Sequence, residues 1–236
     1  MSDAVANPEQ EQQYAQYRQQ SKQEFDQYFS DFERTVQQGS LEDITQWKDL
    51  FGQLAQSYGE AAQSDPNTEK HTPWQTAAEN MDYASQTLIA IADMDTSGFG
   101  DSLRNAQGSM QNLTGERDGE DDEKKTSLRD HRTRASDTST QLEHMSNQAS
   151  DVKRMPRQDV EKMRGDMRDM HQNTQSNSGD HRNADEQSGE HYDTALDHMN
   201  TANQWGDSVG GCFDQSDSVV ESMRTTSEAL GQVAAQ

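Results

Sequence analysis

From Val160 to Val233, residues at alternating spacings of three and four form a single series: Met163, Met167, Met170, Thr174, Asn177, His181, Ala184, Ser188, His191, Ala195, His198, Ala202, Trp205, Val209, Cys212, Ser216, Val219, Met223, Thr226 and Leu230. This spacing puts them on one stripe of a helix, a heptad register held over about ten heptads. Unbroken, such a helix would be about 110 Å long. The seam is apolar at its two ends and polar in the middle. Leu128, Ala135, Leu142, Met145, Ala149 and Val152 carry a similar repeat upstream, and Met155-Pro156 separates the two stretches. Gly206, Gly210 and Gly211 each weaken a helix by about 1 kcal/mol, so a hairpin turning near Gly210-Gly211 competes with one long helix. In both versions the seam needs a partner helix, which leads to the expectation of self-association or docking onto other structural proteins.

Composition sharpens this reading. Only 29% of the 236 residues are hydrophobic, and mean hydropathy is −1.22, which argues against one large globular core. Asp and Glu number 43 against 20 Lys and Arg, a formal net charge of −23. Low hydropathy with high charge also marks disordered chains. Periodic apolar residues, helix caps and only four prolines stand against disorder here. Abundant carboxylates with scarce lysine resemble the proteins of extreme halophiles, whose surfaces stay hydrated in salt that screens their repulsion. Nucleic acid is excluded as a partner, because phosphate binding needs clustered cations, and Lys124, Lys125, Arg129, Arg132 and Arg134 follow directly on the acidic run from Glu120 to Glu123.

The N-terminal half reads as short amphipathic helices. Asn7-Pro8 has the form of an N-cap and first helical residue, and Tyr14, Tyr17, Phe25, Tyr28, Phe32 and Val36 follow at helical spacing as far as Gly39. Ser40 opens a second helix with an acidic first turn and a stripe of Leu41, Ile44, Trp47, Phe51, Leu54 and Tyr58, ended by Asp65-Pro66. Thr72-Pro73 starts a third, marked by Trp74, Ala77, Met81, Ala84, Leu88 and Ile91, and a shorter helix from Asp101 carries Leu103, Met110 and Leu113. The expected fold is therefore all-α: an aromatic-containing helical bundle over 1–114, an acidic glycine-containing linker over 115–127, and a coiled-coil or hairpin region over 128–236.

Residues 1–30 are polar and aromatic, unlike a signal peptide, and the most apolar run, Leu88 to Ala92, is too short to cross a membrane. The expected location is thus a virion or the cytoplasm of a halophile, without membrane insertion. Cys212 is alone, which excludes an intrachain disulfide and a cysteine-based zinc site.

Candidate chemistry is sparse. Asp93, Asp95, Ser97, Gly98, Phe99 and Asp101 resemble the first part of an EF-hand calcium loop, with carboxylates and hydroxyl at alternate positions, a glycine at the sharp turn and the Phe99 carbonyl as a further ligand. Gly100 departs from the aliphatic residue of that motif, and Arg104 stands where its closing glutamate belongs. A divalent cation at Asp93, Asp95, Ser97, Phe99 and Asp101 is the one metal the sequence offers, and no other cofactor is implied. His181, His191 and His198 lie on the seam, where converging imidazoles would bind a transition metal or act as a pH switch; solvated side chains are the plainer reading. Asn177 is similar to the asparagine layers of trimeric fibre proteins. Met163, Met167 and Met170, with Met145 and Met155 nearby, read as core for a helix pair or as an adaptable partner-binding face.

No glycine-rich phosphate loop, nucleophile elbow or paired-histidine motif is present, so the expectation is a protein that is not an enzyme. The leading expectation is an oligomeric structural or assembly protein of a halophilic system, such as a virion fibre, connector, tail or capsid-associated part. The alternatives are a helical adaptor or secreted interaction protein, or a cation-responsive binding protein. There is a faint similarity to small helical-hairpin secretion substrates, but Trp205-Gly206 lacks their Trp-x-Gly spacing.

Overall fold

The computed structural model describes residues 8–116 and 119–235, and every regular element among them is helical. The longer elements are α1 (Pro8–Gln38), α2 (Leu41–Thr45), α3 (Lys48–Ser64), α4 (His71–Asp93), α5 (Ser97–Gln111), α6 (Asp122–Ala149), α7 (Arg157–Ala184) and α8 (Gly189–Ala234). The expected cap at Asn7 and the linker residues Arg117 and Asp118 lie outside the described residues. The chain forms two compact units, one from residues up to Met94 together with those from Cys212 onward, the other from Asp95 to Gly211.

In the first unit, α1 begins at Pro8, whose missing N–H costs nothing in a first helical turn. Its aromatic stripe faces α3, which runs antiparallel to it: Phe32 meets Phe51 with ring centroids 5.0 Å apart, and Phe25 meets Tyr58 at 6.4 Å. Ser40 caps α2 through a reciprocal pair, its hydroxyl accepting from Asp43 N–H at 3.2 Å while its own N–H donates to Asp43 Oδ2 at 2.9 Å. The Ser40 stripe was expected as one helix, but the chain turns at Gln46–Trp47 before α3 starts. α4 runs antiparallel to α3, fixed by Tyr58 against Trp74 at 5.5 Å and by Ser85 Oγ donating to Lys48 O at 2.8 Å. The C-terminal part of α8 runs antiparallel to α1, with Gln19 Nε2 donating to Ala234 O at 2.7 Å and Ser227 Oγ to Asp26 Oδ1 at 2.9 Å. Phe25, Phe32, Phe51, Trp74, Met81, Leu88, Val219, Met223 and Leu230 form the core, each fully buried. Burying one such side chain stabilises by about 1.5–3 kcal/mol.

A buried ionic network closes this unit at one end. Arg18 Nε and Trp74 Nε1 donate to Asp65 Oδ2 at 2.8 and 2.9 Å, and Asn67 N–H donates to Oδ1 at 2.9 Å. Burial alone would raise the pKa of Asp65, but the hydrogen bonds from Arg18, Trp74 and Asn67 outweigh it and hold the group below the ordinary carboxylate range. Cys212 is buried in the same unit, its Sγ 3.1 Å from Met94 Sδ.

In the second unit, α5, α6, α7 and the first part of α8 pack antiparallel in chain order. A methyl group at Gly100 of α5 would stand 3.4 Å from Ser146 O of α6. His131 of α6 stacks on His181 of α7 at 4.9 Å, and Arg134 donates to Asn177 Oδ1 at 3.0 Å. Arg164 of α7 bridges to Asp207 of α8 at 2.9 Å, and Arg182 pairs with Asp193.

Three expectations are corrected. The helix from Val160 is not unbroken, because it stops at Ala184 and α8 begins at Gly189 after a short 3-10 turn. No turn forms at Gly210-Gly211, since α8 runs straight through both. Gly206 and Gly210 serve close packing instead, whereas Gly211 faces open space: a Cβ at Gly210 would meet Arg164 at 2.1 Å, and one at Gly206 would meet the Met167 methyl at 3.1 Å. Finally, every second seam position moves by one residue between Ser178 and Gly206, while His181, Ser188, Ala195 and Ala202 keep theirs on both sides of the break. Ser178, Tyr192 and Met199 are buried where Asn177, His191 and His198 were expected, and of the three seam histidines only His181 is buried.

Candidate docking groove

α6 and α7 are joined by a tight connection in which Val152 is wholly buried and Pro156 stands immediately before the first residue of α7. Their inner faces carry Leu128, Ala135, Leu142 and Met145 on α6 and Val160, Met163, Met167 and Met170 on α7, all buried. Each helix has one apolar stripe turned toward its neighbour, and a valley lies between their outward shoulders. This groove has a volume of about 980 Å³ and lies wholly within the second unit. Its walls repeat at helical spacing, with Gln141, His144, Gln148 and Asp151 on one side and Asp159, Lys162, Asp166, Asp169 and Asn173 on the other.

Met145, Met155, Met163 and Met170 make the floor. Met163 and Met170 are 3% and 5% exposed, so each mainly fills the core and offers only an edge to the groove, while Met155 is half-buried. The methionine stripe therefore serves both as core and as an apolar surface. Thioether chains adapt their shape to what lies against them. The rim is acidic, with four aspartates, Asp151, Asp159, Asp166 and Asp169, against one lysine, Lys162. Asp151 lies 3.7 Å from Arg154, whereas among the described residues Asp159, Asp166 and Asp169 make no ion pair. Sequence reasoning found the methionines and missed this rim. The signal was available: Asp159, Asp166 and Asp169 each directly precede a seam residue, Val160, Met167 or Met170, and so stand beside the stripe.

No protein-family model, curated protein or solved structure matches this chain.

The corner between α7 and α8 gathers the remaining polar chemistry. His181 is 1% exposed, and its Nδ1 shares a 2.9 Å hydrogen bond with the Tyr192 hydroxyl. Ser188 Oγ donates to Asp185 Oδ2 at 2.5 Å and lies 3.5 Å from His181 Nε2, and Lys124 Nζ is 3.5 Å from Asp185 Oδ1. Burial pushes the Tyr192 phenol up to about 12. Serine, histidine and aspartate meet here, with the Ser188 hydroxyl donating its hydrogen bond to Asp185, whereas an activated serine would donate to the histidine. The cluster ties the chain reversal together from its interior. The plainer expectation of solvated histidines does not hold for His181.

The proposed cation ligands are distributed along a helix end and a helix start. Asp93 is the last residue of α4; Asp95 Oδ1 accepts from Ser97 N–H at 2.9 Å, and this hydrogen bond holds Asp95 below the usual carboxylate range. Phe99 is wholly buried within α5, and Asp101 pairs with Arg104 one turn on. Among the described residues, no group of three or more His, Cys, Asp or Glu is arranged to hold a metal ion. No helix among them is long and apolar enough to cross a membrane.

Proposed function

We propose that this chain is a non-enzymatic assembly protein of a high-salt system that presents a preformed helical surface to another protein, with a place in a virion or a comparable cellular structure. The observation that carries this reading is the burial of the seam by helices of the same chain. Met163, Met167 and Met170 are 3–5% exposed, and Val209, Val219, Met223 and Leu230 are fully buried. A seam covered from within removes the physical need for a self-associating fibre, while the acidic, methionine-floored groove supports engagement of a different partner. The carboxylate excess favours this function in concentrated salt, where screening over about 3 Å at 1 M suppresses repulsion among the surface carboxylates.

Light scattering after size exclusion, in 2 M KCl and in dilute buffer, tests the reading. The expected result is one species of 26.6 kDa in molar salt, with lower helicity in dilute buffer. A stable trimer or larger species at micromolar concentration would replace this reading with the fibre.

A further inference from the structure

We infer that the groove between α6 and α7 is the docking site for a basic amphipathic helix of another protein. The inference rests on the assembly reading above and names the partner's chemistry. From residue 141 on α6 to 151 just past its end, and from 159 to 173 on α7, the walls run for about 15–20 Å, the length of roughly three helical turns. Two parallel shoulders with a valley between them are the surface into which a third helix packs its ridge of side chains. The floor supplies thioether edges, which match Leu, Ile or Phe at spacings of three and four.

Charge selects among amphipathic helices. Asp159, Asp166 and Asp169 occupy one wall with no ion pair among the described residues, and Lys162 is the only cation in the groove lining. An acidic helix would bring like charges together along that wall. A helix flanked by Lys or Arg would place cations against carboxylates that are otherwise satisfied only by water. A second copy of this chain does not fit, because its net charge is −23 and the apolar stripes of its helices are already buried within the chain.

The test uses the full chain and four synthetic 16-residue helices: one with a leucine stripe flanked by lysines, one with the same stripe flanked by glutamates, one with the lysines kept and the stripe changed to serine, and a scrambled control. Binding is followed by fluorescence anisotropy in 0.3 M and 2 M KCl, and contacts by the methyl resonances of 13C-labelled methionine. The lysine-flanked helix is expected to bind at least tenfold more tightly than each of the others in 0.3 M KCl. Its advantage over the glutamate helix should shrink in 2 M KCl as screening rises. The methyl signals of Met145, Met155, Met163 and Met170 should shift while those of Met81 and Met223 stay. The exposed triple variant Asp159→Asn, Asp166→Asn, Asp169→Asn should weaken binding about tenfold with unchanged helicity. Equal binding by the serine-stripe helix would reduce the effect to bulk charge and overturn the inference, as would unchanged affinity in the triple variant. If no helix binds while the protein remains a folded monomer, the groove inference fails and the assembly reading stands; a multimer by light scattering would remove that reading instead.

Discussion

Replacing Asp65 with asparagine should destabilise the first unit more than any other single polar substitution in it. Asp65 is 3% exposed and accepts from Arg18, Trp74 and Asn67 at once, while Arg18 is 6% exposed. Removing the carboxylate charge leaves a guanidinium buried with only the half-exposed Glu11 as a counter-charge. Breaking such a pair costs about 3–5 kcal/mol, against a total stability of about 5–15 kcal/mol for a domain. With a urea slope of about 2 kcal/mol/M, the midpoint should fall by about 1.5–2.5 M. Trp74 is the reporter, since its indole donates directly to the altered group. The double variant Arg18→Met, Asp65→Asn should regain at least half of the loss, because the unpaired buried cation is gone. The pH dependence has a fixed sign. Asp65 has a lowered pKa in the folded chain, so its contribution is complete above the unfolded value of about 3.9 and disappears as pH falls through the folded value. The gap between the native protein and Asp65→Asn should therefore be constant from neutral pH down to about 5 and close in stronger acid. A loss below about 1 kcal/mol, or a double variant as unstable as Asp65→Asn alone, would refute the reasoning.

Three further outcomes follow from local geometry. Gly211→Ala should raise stability by about 0.5–1 kcal/mol, because nothing lies within 4 Å of the added methyl and alanine favours the helix. Gly98→Ala should lower it despite the same gain in propensity, since the methyl would meet the Trp205 ring at 2.6 Å; thermal melts of the two variants should move in opposite directions. Ser40→Ala should cost about 0.5–2 kcal/mol through loss of the reciprocal cap with Asp43, read by urea denaturation.

Much of the helical plan was legible in the sequence, for reasons that particular residues make clear. Pro8 and Ser40 carry local signals that need no tertiary context, and the structure starts helices at both. Val160, Met163, Met167, Met170 and Thr174 are buried as the spacing requires, because one apolar stripe has one way to face a neighbour. The reversal at Asp185 was not legible. Ala184-Asp185-Glu186 contains neither proline nor glycine, and the turn is held by Ser188, His181 and Tyr192, which meet only after folding. Gly210-Gly211 gave the opposite error, since glycine marks a close approach as readily as a turn, and Gly210 yields its space to the Arg164 guanidinium. The network of Arg18 and Asp65 spans 47 residues of sequence, beyond the reach of any local pattern. The groove was half legible, because its methionines follow the helical period while its acidic rim acquires meaning only once α6 lies alongside α7.

The most direct measurement is amide hydrogen exchange across α7 and α8 in 2 M KCl, at 1 μM and at 100 μM protein. Burial of the seam within one chain requires slow exchange around Met167, Thr174, Val219 and Met223 at both concentrations, with faster exchange near Asp185. Protection that vanishes on dilution would show that other copies cover the seam, and would contradict the reading of this chain as a self-contained helical protein.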